Sequence, residues 1–211
     1  MTAAEKLHFS AEDFLAWEAT QDIKHEFADG IAYAMAGTTA PGALLEREAF
    51  PVGQRPGMDS AAGESHVLVN SNAFALLRTH LRGTPCRTFI SDMKLKVEAA
   101  DTFFYPDVFV TCAPEDAARK DYKTSPILVI EVLSPSTAAY DRGQKFAAYR
   151  RLPSLQEYVL IDSERYSVDV FRKDATDHWV LYPFGPGEEV ELASVGLRLP
   201  IETLYEDVLP S

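Results

Sequence analysis

The residues best suited to chemistry are two carboxylates, each alone in an apolar run, and a lysine that follows them. Asp107 lies in Tyr105-Pro106-Asp107-Val108-Phe109-Val110, and Glu131 in Ile127-Leu128-Val129-Ile130-Glu131-Val132-Leu133. An acid inside such a run is costly to bury without a partner, so Glu131 in particular needs one. Lys145 follows on a segment, Asp141 to Arg151, that reads as a helix and also carries Tyr149. Hydrolysis of a phosphodiester needs an activated water, neutralised charge on the phosphoryl group and a stabilised leaving oxygen. Hard divalent cations supply all three. Magnesium takes oxygen ligands, commonly with only one or two protein carboxylates among them. Asp107 and Glu131 are far enough apart in sequence for one strand, a connection and the neighbouring strand. Side by side they could share Mg²⁺ or Mn²⁺, with the carbonyl of Val132 as a further ligand, while Lys145 orients the attacking water and offsets phosphate charge.

Each residue also has a plainer account. Asp141 and Lys145 have the i, i+4 spacing of ordinary surface ion pairs, which are worth little. Tyr149, one turn on, reads first as core packing with a satisfied hydroxyl. Asp107 could merely open a strand after Pro106. His25 and His66 lack ligand-like spacing and read as satisfied or exposed histidines. Asp92 could equally face water. Ser134 and Ser136 flank Pro135 without a glycine-flanked nucleophile elbow, and helix capping explains them. The chain has no phosphate-binding glycine loop and no dinucleotide fingerprint.

The elements that must position these groups are readable in order. Ser10 caps a first helix with acids in its opening turn. Asp29-Gly30 between two short, partly apolar runs marks a hairpin, with Glu26 on its first arm. Residues 40–63 are punctuated by Gly and Pro and read as a loop insertion in a single domain spanning 1–211. His66, Val67, Asn70, Phe74, Leu77, His80 and Leu81 follow helical spacing up to Gly83. Arg87 to Glu98 alternates like one half-buried strand. The Asp107 and Glu131 strands are nearly continuous in apolar character, as central strands covered on both faces should be. After Leu152-Pro153, Glu157 to Asp162 reads as another strand. Ser167 to Lys173 and His178 to Phe184 read as a hairpin extending the sheet. The expected fold is α/β: a mixed central sheet flanked by helices, with an N-terminal helix and β-hairpin.

Composition sets limits on function. The chain has 211 residues, 46% hydrophobic and 25% charged, with a net charge of −12. That is long enough for a proper core. No apolar run approaches the ~18 residues of a membrane span, and the N-terminus lacks the apolar stretch of a secretion signal. Cys86 and Cys112 read as isolated cysteines, which suits a reduced, cytoplasmic interior. The negative balance argues against a dedicated, sequence-independent nucleic-acid binder, but a metal and a local basic patch can carry phosphate contacts. Arg142, Lys145, Arg150 and Arg151 form one such group and Arg119, Lys120 and Lys123 another, each read first as solvated surface charge.

Taken together, Tyr105-Pro106-Asp107-Val108, Ile130-Glu131-Val132-Leu133-Ser134-Pro135-Ser136-Thr137, Asp141, Lys145 and Tyr149 resemble the Uma-type family of putative restriction endonucleases, in the PD-(D/E)xK nuclease superfamily. Leu152-Pro153-Ser154-Leu155-Gln156-Glu157-Tyr158 fits too, as do Glu26, Asp29-Gly30, Met35-Ala36-Gly37 and His66. The resemblance covers nearly the whole chain outside residues 40–63. It implies a restriction endonuclease-like fold and a Mg²⁺- or Mn²⁺-dependent nuclease, with DNA a likelier substrate than RNA. It also implies a role for Glu26 as an auxiliary acid beside Asp107, Glu131 and Lys145. A homodimer is the default for cutting two strands. One departure stands out: the superfamily's lysine lies two residues after the second acid, where this chain has Leu133, and Lys145 on the next helix takes its place. The rival expectation is a catalytically inactive nuclease-like module that binds DNA or a protein partner.

Overall fold

The computed structural model describes residues 10–35, 52–53 and 63–209. The insertion expected at residues 40–63, and Ala36-Gly37, fall almost wholly outside these residues. Helix α1 (Ala11–Glu18) starts on Ser10, whose hydroxyl accepts from the Asp13 amide while Asp13 accepts from the Ser10 amide, satisfying two end donors reciprocally. Strands β1 (His25–Ala28) and β2 (Ile31–Ala34) form the expected hairpin. Asp29 and Gly30 both have positive φ, +53° and +78°, the conformation that matches a two-residue turn to the twist of its strands. Strand β3 (Val52–Gly53) pairs with β2.

Helix α2 (Glu64–His80) buries Val69, Asn70, Ala73 and Leu77. Val67, which spacing alone places with the apolar residues, is instead exposed. The single strand expected over Arg87 to Glu98 is two strands, β4 (Arg87–Ile90) and β5 (Lys94–Val97), which belong to different sheets. The corner falls at Ser91, whose φ of +35° turns the chain. The return path mirrors it: β6 (Thr102–Phe104) pairs with β5, and β7 (Val108–Thr111) pairs with β4. Two strand pairs thus splay apart at the same corner, and Asp107 sits on the crossing between β6 and β7.

Helix α3 (Pro114–Ala118) and β8 (Tyr122–Lys123) lead to β9 (Pro126–Leu133), the eight-residue central strand. Next comes a helical crossover in three parts: α4 (Ala138–Tyr140), a π-helical turn (Asp141–Lys145) and α5 (Phe146–Tyr149). It returns to β10 (Glu157–Asp162), parallel to β9. The hairpin of β11 (Val168–Lys173) and β12 (Trp179–Phe184) extends this sheet as expected. A small hairpin, β13 (Glu189–Leu192) and β14 (Leu197–Pro200), and a 3₁₀ segment (Ile201–Tyr205) close the chain.

Among the described residues there are two six-stranded sheets, ordered β3-β2-β1-β6-β5-β8 and β12-β11-β10-β9-β7-β4. Side chains alternate across a strand, and β9 uses both faces. Leu128, Ile130 and Val132 pack with Val69, Ala73 and Leu77 of α2. Val129 and Leu133 pack with Tyr149, Leu152 and Tyr158 on the other side. Alternation therefore sends Glu131 toward the crossover helix. The cysteines correct the sequence reading: the register Arg87↔Thr111 brings Cys86 opposite Cys112, and a disulfide joins them. No helix among the described residues is long and apolar enough to cross a membrane.

Candidate active site

The pairing of β7 with β9 runs antiparallel, with Val108 opposite Ile130. Continued by one residue, this register sets Asp107 opposite Glu131, where paired side chains share a face. Asp107 lies just before the first residue of β7, and its Oδ2 accepts from the Val132 amide at 2.8 Å, so a side chain extends the ladder ahead of the strand. Asp107 Oδ1 faces outward to His66 Nε2 at 3.2 Å. Glu131 is 2% exposed, and its Oε1 accepts from Lys145 Nζ at 3.0 Å and from the Tyr149 hydroxyl at 2.9 Å.

Lys145 is the hub. Beyond Glu131, its ammonium lies 3.3 Å from Glu26 Oε1 and 3.5 Å from Asp141 Oδ1. Glu26 reaches the hub from β1, because its neighbour Phe27 packs into a cluster with Phe14 and Phe103, and alternation turns Glu26 the other way. Asp141 and Lys145 are the first and last residues of the π-turn, a geometry found often at functional sites. The Tyr158 hydroxyl donates to the Asp141 carbonyl oxygen at 2.9 Å, tying this turn to β10. Asp141 and Lys145 are therefore no surface pair; both are buried. Tyr149 packs in the core with its hydroxyl satisfied by Glu131, as its plainer account expects.

Three carboxylates, Glu26, Glu131 and Asp141, lie within 3.5 Å of the ammonium, and the charge of Asp107 acts on it from nearby. Burial pushes the Glu131 carboxyl well above the usual range; Asp141, Asp107 and Glu26 push the same way, against Lys145. Burial likewise raises Asp141, opposed by Lys145 and a Thr137 hydrogen bond. For Lys145, burial alone would lower the pKa, but Glu131, Glu26, Asp141 and Asp107 outweigh it and hold the ammonium well above its ordinary value. Burial, then Glu131, raises the Tyr149 phenol, which stays a donor. The cluster carries more negative than positive charge and is built of hard oxygen donors, which suits a divalent cation of the magnesium type. Among the described residues no three His, Cys, Asp or Glu side chains are already gathered as a metal cage. Magnesium sites, however, need only one or two protein carboxylates.

Asp107, Glu131, Lys145 and Glu26 thus meet in one cluster drawn from β1, β9, the β6–β7 crossing and the crossover helix. Val132 joins it through its amide. Leu133, where the resemblance looks for a lysine, packs into the core at 4% exposure, and the ammonium beside Glu131 is that of Lys145. Other candidates lie elsewhere. Asp92 is exposed and pairs with Lys24. His25 is buried against Trp17. Lys123, expected at the surface, is buried and donates to the Asp116 carbonyl, while Arg142 pairs with Asp169 at 2.6 Å. The residue that spacing missed is His66, whose only local cue is its place in the first turn of α2. Beside it lies a cavity of about 260 Å³ lined by Ser65, Ser134, Ser136 and Ser163.

A mixed sheet with opposed acids on neighbouring strands and a lysine from the crossover helix defines a restriction endonuclease-like α/β fold. Residues 56–202 match the model of the family described as "Putative restriction endonuclease", and the chain belongs to that family. It is 34% identical over 196 residues to the Synechocystis sp. protein named "Uncharacterized protein slr1290", covering 93% of this chain and 90% of that one. It is 30% identical to a second Synechocystis sp. protein, "Uncharacterized protein sll1609", covering 92% and 97%. The fold is also similar to the crystal structure of a putative nuclease from Anabaena variabilis, with a TM-score of 0.68, 18% identity, and 95% and 99% of the two chains covered.

Proposed function

We propose that this protein is a divalent-metal-dependent endonuclease that hydrolyses phosphodiester bonds of DNA. The observation that carries the reading is the meeting of Glu131 and Glu26 on one buried ammonium, with Asp107 set opposite Glu131. Asp107 and Glu131 would hold Mg²⁺ or Mn²⁺, with the Val132 carbonyl as a further ligand. Such a cation supplies Lewis acidity and an acidified water when bound.

The chain's own residues do the positioning. The Val132 amide fixes one Asp107 oxygen and leaves the other facing outward. Tyr149 and Lys145 fix Glu131 Oε1. In this reading Lys145 steers the attacking water and offsets charge on the phosphoryl group, and Glu26 serves as an auxiliary acid that keeps Lys145 charged. A homodimer is the proposed form for cutting both strands. A cytoplasmic home belongs to the same proposal, and the Cys86–Cys112 bridge is the feature that weighs against it.

The rival is a nuclease-like module that binds DNA or a protein without cutting, favoured by the net charge of −12 and by the three acids already paired with Lys145. Supercoiled plasmid incubated with purified protein and Mg²⁺ or Mn²⁺ separates the two. Metal-dependent nicking lost in both Asp107→Ala and Lys145→Ala supports the enzyme. DNA binding without nicking at any metal concentration supports the rival.

A further inference from the structure

We propose that His66 is a nitrogen ligand to the cation held by Asp107, and that it tilts the site from Mg²⁺ toward Mn²⁺. The inference rests on the nuclease reading and deepens it. His66 Nε2 and Asp107 Oδ1 lie 3.2 Å apart. Two donor atoms this close could both be turned toward one ion. The other Asp107 oxygen is held by the Val132 amide, which leaves Oδ1 as the atom offered outward.

Without a cation the Asp107 carboxylate can only accept, so Nε2 carries a proton toward it. A cation on Asp107 would displace that proton and free the Nε2 lone pair, leaving the ring's proton on Nδ1, which is enclosed and meets no acceptor among the described residues. The imidazole also forms part of the wall of the cavity lined by Ser65, Ser134, Ser136 and Ser163, so it borders open space.

Ligand chemistry then sets the ion. A wholly carboxylate and carbonyl set suits Mg²⁺ and Mn²⁺ alike, whereas an imidazole strengthens transition-metal binding and gives magnesium little. With the plain hydrogen-bond role, His66 would orient Asp107 and affect both ions equally. The split between the two metals is what a ligand role produces and an orienting role does not.

The test uses the full chain, wild type and three variants: His66→Asn, which can still hydrogen-bond Asp107, His66→Ala and Asp107→Ala. Isothermal titration gives affinities for Mn²⁺ and Mg²⁺, and electron spin-echo spectroscopy of the Mn²⁺-loaded protein reports imidazole nitrogen on the ion. Circular dichroism confirms that each variant is folded. The expected result is a nitrogen coupling in the wild type that both His66 variants lose, with Mn²⁺ affinity down roughly tenfold or more and Mg²⁺ affinity within about threefold. A coupling that survives in His66→Asn, no coupling in the wild type, or equal losses for both ions overturns the inference while leaving a cation on Asp107 and Glu131. Wild type that binds neither ion, or binding untouched by Asp107→Ala, overturns the metal reading along with it.

Discussion

Lys145 is surrounded by three carboxylates within 3.5 Å and is 6% exposed, so removing its charge strands a buried acid cluster. Breaking a buried ion pair from one side costs about 3–5 kcal/mol. Lys145→Met should lose stability of that order in urea unfolding of the metal-free protein, and adding Glu131→Gln should recover part of it. A loss below about 1 kcal/mol would mean that the cluster is wetter or looser than its geometry. Much of this residue-scale picture was legible in the sequence. An acid alone in Ile127 to Leu133 has to find a partner, and a lysine on the next helix was the nearest one. His66 was marked only by the family resemblance; its contact with Asp107, 41 residues away, was not legible, because no local spacing encodes that meeting. Lys123 misled for the related reason that a lysine among charged neighbours looks solvated until its ammonium is seen donating to the carbonyl of Asp116.

The elements that position the site have their own tests. Gly143 lies inside the π-turn, and a Cβ built on it meets nothing within 4 Å. Gly143→Ala should therefore stabilise the fold by about 0.5–1 kcal/mol, through the lost freedom of glycine in the unfolded chain; a destabilised variant would show that the turn needs a glycine backbone. At the hairpin, burial lowers the pKa of His25 below its ordinary 6.5, against the raising influence of Glu18. The folded state then holds fewer protons than the unfolded chain. Its contribution is full above pH 6.5 and shrinks as pH falls below that value. Urea midpoints at pH 7.5 and 5.5 should drop less for His25→Phe than for wild type, and an equal drop would remove His25 as the cause. The hairpin and the β9 strand were readable because turn chemistry and apolar continuity are local. The break between β4 and β5 was not: Phe89, Met93, Leu95 and Val97 keep their alternation across it, and neither Gly nor Pro marks the corner at Ser91. The π-turn was hidden in the same way, since one extra residue in a helix leaves its composition unchanged.

Across the whole molecule, the Cys86–Cys112 bridge closes a loop of 26 positions that ties β4 to β7, the strand that Asp107 immediately precedes. A native bridge over such a loop is worth about 3 kcal/mol. Denaturation midpoints should fall by a corresponding amount when the protein is reduced or carries Cys86→Ser, and folded protein should show no reactive thiol before reduction. Free thiols in the folded, air-exposed protein would contradict the bridge. The pairing was beyond sequence reading because it depends on the register of two strands rather than on cysteine spacing. The two sheets, the crossover helix and α2 all serve to bring four acids, one ammonium and one imidazole to the corner where the strands part. The most direct test of that assembly is single-turnover cleavage of a labelled DNA duplex with Mn²⁺ by wild type and by Glu131→Gln, which keeps the side chain's shape and removes its charge. The account predicts metal-dependent cleavage by the wild type and a loss of about 10²-fold or more in the folded variant; cleavage by Glu131→Gln at the wild-type rate would contradict it.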